Sequence, residues 1–140
     1  MPLEIKDVKD GLGFVILGSG VLTEHELVDG LKKHLTQDKE KFKKIRYTLT
    51  DYTALTEADI SSKALELIAG FCIEAAYVNP EIIVAEVASQ DFYYGLVRMS
   101  HALRDRHYWE NAVFRNRQDA EDWIKQRVKE KYGIDDITFD

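Results

Sequence analysis

Short runs of strand-forming residues alternate along this chain with segments whose apolar positions repeat at helical spacing. The clearest helical pattern follows Thr23, where Leu27, Leu31 and Leu35 recur every fourth residue and charged residues fill positions between them. Apolar runs rich in β-branched and aromatic residues predict strands. These runs lie at residues 3–5, 14–17, 45–50, 82–87 and 109–114.

Each predicted helix begins with a polar residue that is able to cap its first turn, followed within three positions by an acidic residue. The pairs are Thr23 with Glu26, Thr56 with Asp59, Ser89 with Asp91, and Asn116 with Asp119. We expect the second helix to run from about residue 56 to about residue 78, because Pro80 disfavours helical geometry just before it. The fourth helix is expected to end at Gly133.

Strands separated by helices of this length require crossover connections, which favour parallel pairing. The alternation therefore predicts an α/β fold: a single-layer mixed, mainly parallel sheet of about five strands with four helices, beginning with an antiparallel hairpin. We expect a single domain over residues 1–133 and an acidic tail over residues 134–140 that is mobile or adds an edge strand.

The segment 45–65, IRYTLTDYTALTEADISSKAL, closes a strand with Asp51 and carries a second acidic residue, Asp59, eight positions later. This pattern and the order of elements resemble the STAS domains of bacterial anti-anti-sigma factors, and more closely the small bacterial proteins called SpoIIAA-like. The stretch FRNRQDAEDWI at 114–124 is similar to the strand-to-helix ending of SpoIIAA-like proteins. The resemblance implies a STAS/SpoIIAA-like fold.

In the sporulation regulators of this family, a phosphorylatable serine directly follows the second aspartate. Here Ile60 holds that position, Ser61 and Ser62 come next, and Ser62 stands where the family has glycine. The resemblance therefore gives Ser61 and Ser62 as candidate phosphorylation sites. It also implies a protein that acts through protein–protein interaction.

Composition narrows the classes of function. The 140 residues carry a formal net charge of −6, which opposes binding to a phosphate backbone, so we expect no nucleic-acid partner. The most apolar stretch, 64–78, is interrupted by Glu66 and Glu74, so we expect no membrane insertion. The single cysteine, Cys72, forms no internal disulfide, and the sequence does not start with the basic and apolar stretch of a signal peptide. The cytoplasm is therefore the expected compartment.

Open α/β sheets bind ligands beyond the carboxyl ends of their strands. Polar residues that the predicted sheet gathers at that edge form a candidate crevice: Ser19, Asp51, Tyr52, Thr56, Glu86, Gln90 and Arg115. The alternative is that Thr56 only caps a helix and Asp51 only closes a turn.

The sequence carries no catalytic or metal-binding signature. The glycines at 18 and 20 lack the lysine of a phosphate loop, the four histidines fit no zinc pattern and are explained by solvated helix positions, and Ser61 and Ser62 lie in no nucleophile elbow. Apolar neighbours favour a buried, inert thiol at Cys72. We therefore expect no cofactor, no metal and no enzymatic activity. The opposing hypothesis is an enzyme that uses Asp51 or Glu86 as an acid or base.

The second predicted helix is apolar on two sides. Besides a core stripe it carries Phe71, Ile73 and Tyr77 around much of its remaining circumference. A second apolar stripe suits a subunit contact, and burial within the monomer is the alternative. Arg98 and Trp109 add charge and aromatic area of the kind enriched at protein interfaces, and the alternative places Trp109 in the core.

These observations lead to two hypotheses of different class. The first is a non-catalytic STAS-like interaction or regulatory module that works as a homodimer or against a regulatory protein partner. The second is a small-molecule or lipid-binding protein that uses the crevice, a hypothesis favoured by the 7 tyrosines and 6 phenylalanines. It requires an apolar cavity.

Overall fold

The computed structural model describes residues 2–90 and 109–140. These two ranges contain five strands, three long helices and one single-turn helix. In chain order they are β1 (Leu3–Val8), β2 (Gly13–Thr23), α1 (Glu24–Thr36), α2 (Lys39–Phe42), β3 (Tyr47–Asp59), α3 (Ser62–Val78), β4 (Ile83–Val87), β5 (Glu110–Phe114) and α4 (Arg117–Tyr132).

The five strands form one sheet in the order β1-β2-β3-β4-β5. β1 runs antiparallel to β2, and the other neighbouring strands are parallel. A short 3-10 turn at Lys9–Gly11 joins the first two strands into the predicted hairpin. The predicted α/β class, with a mixed and mainly parallel sheet, is confirmed.

Local capping chemistry starts two helices where the sequence predicts. Thr23 and Glu26 form a reciprocal capping box, in which the Thr23 hydroxyl accepts from the Glu26 N–H at 3.2 Å. The Asn116 side-chain oxygen accepts from the Asp119 N–H at 2.9 Å, and Gly133 ends α4 with a left-handed φ of 66°. The helix predicted from residue 89 lies outside the described residues beyond residue 90.

The predicted start of the second helix at Thr56 is wrong. β3 continues to Asp59, and α3 begins at Ser62 with Ser61 as its cap. β2 is also longer than predicted and passes through the glycines at 18 and 20. The two strands pair with each other beyond β4, from residues 19 and 54 to residues 23 and 59, and we call this part the β2–β3 extension. This long-range pairing outweighs the local cap signal at Thr56.

The sheet has a core on each side, because successive side chains of a strand point to opposite faces. The first core lies between the sheet and helices α1 and α3, and the second lies between the sheet, α4 and the C-terminal residues. Representative members of the first core are Phe14, Ile16, Leu27, Leu31, Ile68, Cys72 and Val84. Representative members of the second are Val15, Tyr47, Leu49, Ile83, Ile124, Val128 and Phe139.

Residues 134–140 pack onto the second core. Ile137 and Phe139 are buried there, and the Tyr47 hydroxyl donates to the Thr138 carbonyl at 2.6 Å. The Arg117 guanidinium donates to the Phe139 carbonyl at 3.1 Å. Residues 134–140 therefore pack against the second core and add no strand to the sheet, and buried Ile137 and Phe139 alternate with exposed Thr138 and Asp140.

Candidate functional site

An apolar cavity of about 100 Å³ lies in the first core, between the sheet and helices α1 and α3. Aliphatic and aromatic side chains make most of its lining among the described residues. They include Phe14, Ile16, Leu22, Leu27, Leu31, Phe42, Tyr52, Leu55, Ala58, Ile60, Leu65, Ile68, Val84 and Trp109, and Cys72 adds its thiol.

Strand alternation and helix spacing direct these side chains toward the cavity. In β2, Phe14 and Ile16 face the first core, whereas Val15 between them faces the second. Along α1, Leu27 and Leu31 are one turn apart and line the same wall. The two periodicities that predict the elements therefore also build the cavity wall.

A buried hydrogen-bond network lies beside the cavity where β3, β4 and β5 begin. Asn79, which is 3% exposed, donates from its amide nitrogen to the carbonyls of Phe42 and Ile45, at 2.8 Å each. The backbone carbonyl of Asn79 accepts from the Trp109 indole N–H at 2.6 Å. Trp109 is 5% exposed, so it takes the core position and not the interface position. The sequence analysis missed Asn79, whose only signal is its place before a proline.

Thr48, Thr50 and Glu86 put polar groups on the sheet side of the cavity, and we call them the polar strip. They are buried, with exposures of 5%, 6% and 8%. Thr50 and Glu86 are register partners on the neighbouring strands β3 and β4, so their backbones are about 4.8 Å apart. The described part of the cavity lining thus combines apolar side chains with this hydrogen-bonding patch.

Two solved structures share this architecture. One is an uncharacterized protein of the DUF3478 family with a SpoIIAA-like fold from Shewanella loihica PV-4, with a TM-score of 0.51, 19% identity, and coverage of 87% of this chain and 91% of that one. The other is the anti-sigma factor antagonist SpoIIAA in its unphosphorylated form, with a TM-score of 0.51, 15% identity, and coverage of 87% and 96%. This chain has a SpoIIAA-like fold. No protein-family model and no curated protein matches the sequence.

The predicted resemblance is thereby confirmed at the level of the fold. Both candidate phosphorylation sites, Ser61 and Ser62, lie at the start of α3. Ser61 caps α3 by accepting from the Ala64 N–H at 3.1 Å, and its own N–H donates to a Glu24 carboxylate oxygen at 2.7 Å. Hydrogen bonds from the Ser61 hydroxyl and N–H lower the pKa of Glu24, the first residue of α1. Ser61 and Ser62 are both exposed. The N-termini of the two helices over the cavity are therefore joined at Ser61, and phosphorylation stays a prediction.

The residues of the predicted crevice do not form one site. Asp51 caps its own turn, accepting from the Thr53 N–H at 2.9 Å and from the Thr53 hydroxyl at 2.6 Å. Its other carboxylate oxygen lies 3.5 Å from the Arg117 guanidinium at the start of α4. Tyr52 and Glu86 instead line the cavity. Neighbours along a strand point to opposite faces, which separates Asp51 from Tyr52.

The other crevice residues lie at the surface of the described structure. Ser19 and Thr56 are exposed on the β2–β3 extension, so Thr56 caps no helix. Gln90 donates to the Leu55 carbonyl at 3.5 Å, and Arg115 is exposed after β5. Within residues 2–90 and 109–140, no group of three or more His, Cys, Asp or Glu side chains could hold a metal ion.

The candidate interface residues of α3 differ in exposure. Tyr77 is 80% exposed and Leu67 is 47% exposed, whereas Phe71 and Ile73 are half-buried. Arg98 lies outside the described residues. Neither α3 nor another helix in the described ranges has the length and apolar character needed to cross a bilayer.

A second, more polar pocket of about 440 Å³ lies beside α1 and α2. The His34 ring packs edge-on against the Phe14 ring, with centroids 4.2 Å apart, and burial lowers the pKa of His34. Asp7 and Lys41 form an ion pair in the lining of this pocket. The expectation that all four histidines occupy solvated positions is therefore wrong for His34, because strand β2 brings an aromatic ring against it.

Proposed function

We propose that this chain is a non-catalytic binding module with a SpoIIAA-like fold, and that its ligand is a small, mainly apolar molecule held in the first-core cavity. The observation that carries the proposal is the cavity itself, about 100 Å³ in volume and lined mostly by aliphatic and aromatic side chains. Ligand pockets commonly combine such a lining with a few placed polar groups.

The energetic cost of the cavity supports a binding role. Unfilled apolar volume in a core costs about 24 cal/mol per Å³. The cavity is partly open, so about 2 kcal/mol is the upper bound of this cost for a volume of about 100 Å³. That is a large share of a net stability of about 5–15 kcal/mol, and a larger side chain at Cys72 or Ala58 would recover part of it.

The volume also bounds the ligand. A cavity of about 150 Å³ lined by Leu, Ile and Phe side chains binds benzene. By proportion, a cavity of about 100 Å³ holds roughly four non-hydrogen atoms or the end of a longer apolar chain.

Xenon titration of the isotopically labelled full chain, followed by methyl NMR, tests this proposal. We expect saturable shifts of the Leu27 and Ile68 methyl signals, because both side chains line the cavity. The Val128 methyls in the second core serve as the internal control and should not shift. Shifts that are absent, or equal on the two sides of the sheet, would overturn the proposal.

A second candidate function is binding of a regulatory protein or of a second copy through α3. It is favoured by the exposed apolar side chains of Tyr77 and Leu67, with half-buried Phe71 between them. Light scattering should then show a dimer at high micromolar concentration and a monomer for Tyr77→Ser. The exposed Glu66→Gln variant on the same helix is the control. A strict monomer for the unmodified chain contradicts the homodimer form.

Phosphorylation of Ser61 is the regulatory step that fits this module. A phosphate at the cap would stand beside the Glu24 carboxylate, which now accepts from the Ser61 N–H at 2.7 Å. Like-charge repulsion would part the N-termini of α1 and α3. Mass spectrometry of the protein from its native cells should find phosphoserine at this position, and its absence contradicts this form of regulation.

A further inference from the structure

Two buried threonines follow each other along one face of β3 and line the first-core cavity. Thr48 is 5% exposed and Thr50 is 6% exposed. Alternate residues of a strand point to the same face, so the two side chains share one wall and their Cα atoms are about 6.6 Å apart. We call these two residues the threonine pair. Both hydroxyls are shielded from bulk water beside a mostly apolar space.

The hydroxyls of the threonine pair lack partners in the described structure. Among residues 2–90 and 109–140, no backbone or side-chain group forms a hydrogen bond with either of them. Their buried neighbours are different, because Asn79 donates to two carbonyls and Glu86 has an interaction of its own within the protein. Buried polar groups in native proteins are nearly always paired. Two unpaired hydroxyls on a cavity wall therefore point to a partner that enters the cavity.

The spacing of the threonine pair suits one oxygen atom between the two side chains. Each threonine hydroxyl has one donor hydrogen that rotates to meet an acceptor, and a carbonyl oxygen has two lone pairs. An oxygen midway between side chains whose Cα atoms are about 6.6 Å apart is within reach of two hydroxyl hydrogen bonds of about 2.5–3.0 Å. A hydrocarbon of the same shape would cover both hydroxyls and leave them unpaired, which is unfavourable.

We propose that Thr48 and Thr50 bind an oxygen acceptor of the ligand, such as the carbonyl of a small ketone or aldehyde, whose apolar part packs against Leu27 and Ile68. These two helix side chains line the same cavity as the threonine pair. This inference rests on the proposed binding function and names the ligand class for that site.

Acetone and 2-methylpropene are matched probes for this inference. They have the same planar skeleton and differ only in that a carbonyl oxygen replaces a methylidene group. Each is titrated into the full chain while the methyl NMR signals of Leu27 and Ile68 are recorded, with Val128 as the control. Water solvates acetone better than 2-methylpropene, so the quantity to compare is the change in each Kd when a threonine is replaced.

Thr48→Val and Thr50→Val each remove one hydroxyl and keep the branched shape of the side chain. Either variant should weaken acetone binding about tenfold, a difference of about 1.4 kcal/mol, because one hydrogen bond to the carbonyl is lost. Binding of 2-methylpropene should stay the same or tighten. Thr50→Ser keeps the hydroxyl and should hold acetone to within about threefold of the unmodified chain. Thr56→Val, at an exposed position of the same strand, is the matched control and should change neither Kd.

The outcomes separate the two proposals. If xenon shifts the first-core methyls but both valine variants leave the Kd of acetone unchanged, or change the two probes equally, the inference is overturned while the binding function stands. If xenon and both probes leave these methyls unmoved, both are overturned. A measurement on the unmodified chain decides the matter where the variants do not fold: the carbonyl ¹³C signal of bound labelled acetone should lie downfield of its position in hexane, and an equal position overturns the inference.

Discussion

The two sides of the sheet are built from the same strands and differ in how completely they are packed. On the second side, nine of the described core members have 0% exposure, among them Val15, Leu49 and Ile124. On the first side only Ala88 reaches 0% among the described core residues, and the other core members range from 1% to 8%. The cavity and the polar strip also lie on the first side.

The difference can be followed along single strands. In β3, Tyr47 and Leu49 face the second core, and Thr48 and Thr50 face the first. In β4, Ala85 and Val87 face the second core while Glu86 faces the first. Strand alternation thus separates a side that supplies stability from a side that accepts cavity volume and polar groups. The comparison teaches that the less well-packed side is the place to look for binding.

The largest expected effect is on the second side. Ile124 is 0% exposed, so Ile124→Ala should lower the free energy of unfolding by about 2–5 kcal/mol in urea titrations. The exposed Gln126→Ala on the same helix should change it by less than about 0.5 kcal/mol. Xenon binding by the folded fraction should persist, because the cavity lies across the sheet. A loss below about 1 kcal/mol would contradict the contrast between the two sides.

A pair of opposite responses to added bulk comes next. Cys72→Leu places extra atoms in the cavity and should raise stability, by at most about 2 kcal/mol, while it abolishes xenon binding. Ala120→Leu adds similar bulk to a fully buried site in the second core and should cost about 1–3 kcal/mol. Thermal unfolding of the two variants beside the unmodified chain gives both signs. Equal losses in the two variants would mean that the first core has no spare volume.

Features that depend on neighbouring residues could be predicted from the sequence. The Thr23 capping box, the Asn116 cap and the Gly133 terminator are set within a few positions, and the structure confirms all three. Thr56 fits the same local pattern, but residue 57 pairs with residue 21 of β2 and the strand continues past it. Local signals fail where pairing with a distant strand contributes more free energy than a cap.

The candidate site shows the same limit. Glu86 is conspicuous in the sequence as a charge within an apolar run, and the analysis selects it. The cavity beside it depends on how α1 and α3 pack across the sheet, which no local pattern encodes. Arg117 lies 66 positions from Asp51 along the chain, so their proximity could not be read from spacing.

A pH-dependent effect sharpens the comparison on the second side. Burial raises the pKa of the Tyr47 hydroxyl to about 12. This value lies above the ordinary value of 10. The contribution of the neutral Tyr47 hydroxyl to the free energy of unfolding is therefore fully present below pH 10 and is lost as the pH rises toward 12, by on the order of 2 kcal/mol. Deprotonation also removes the donor to the Thr138 carbonyl.

Urea titrations at about pH 9 and about pH 12 measure this effect, and the loss should be smaller in Tyr47→Phe. Burial also raises the pKa of Tyr132 to about 12. The proteins with Tyr47 and with Tyr47→Phe are therefore both made in a Tyr132→Phe background. An unchanged pH dependence in Tyr47→Phe would show that Tyr47 does not set this response.

The smallest expected effect is at the cover of the first core. Ser61→Ala removes the side-chain acceptor of the α3 cap and should cost about 1 kcal/mol, whereas Ser62→Ala, one position further on, should cost less.

Ser61→Ala also loses the Ser61 hydroxyl bond that lowers the pKa of Glu24, so the pKa of Glu24 should rise in an NMR titration of the carboxylate. The lowered pKa makes this bond stabilising above the ordinary value of 4.5 and progressively lost as the pH falls through the lowered value. Hydrogen exchange should therefore quicken in the first turn of α3 and stay unchanged at Asn116 on the other side of the sheet. Equal quickening at both sites would mean that the two sides respond as one unit and not as two separate cores.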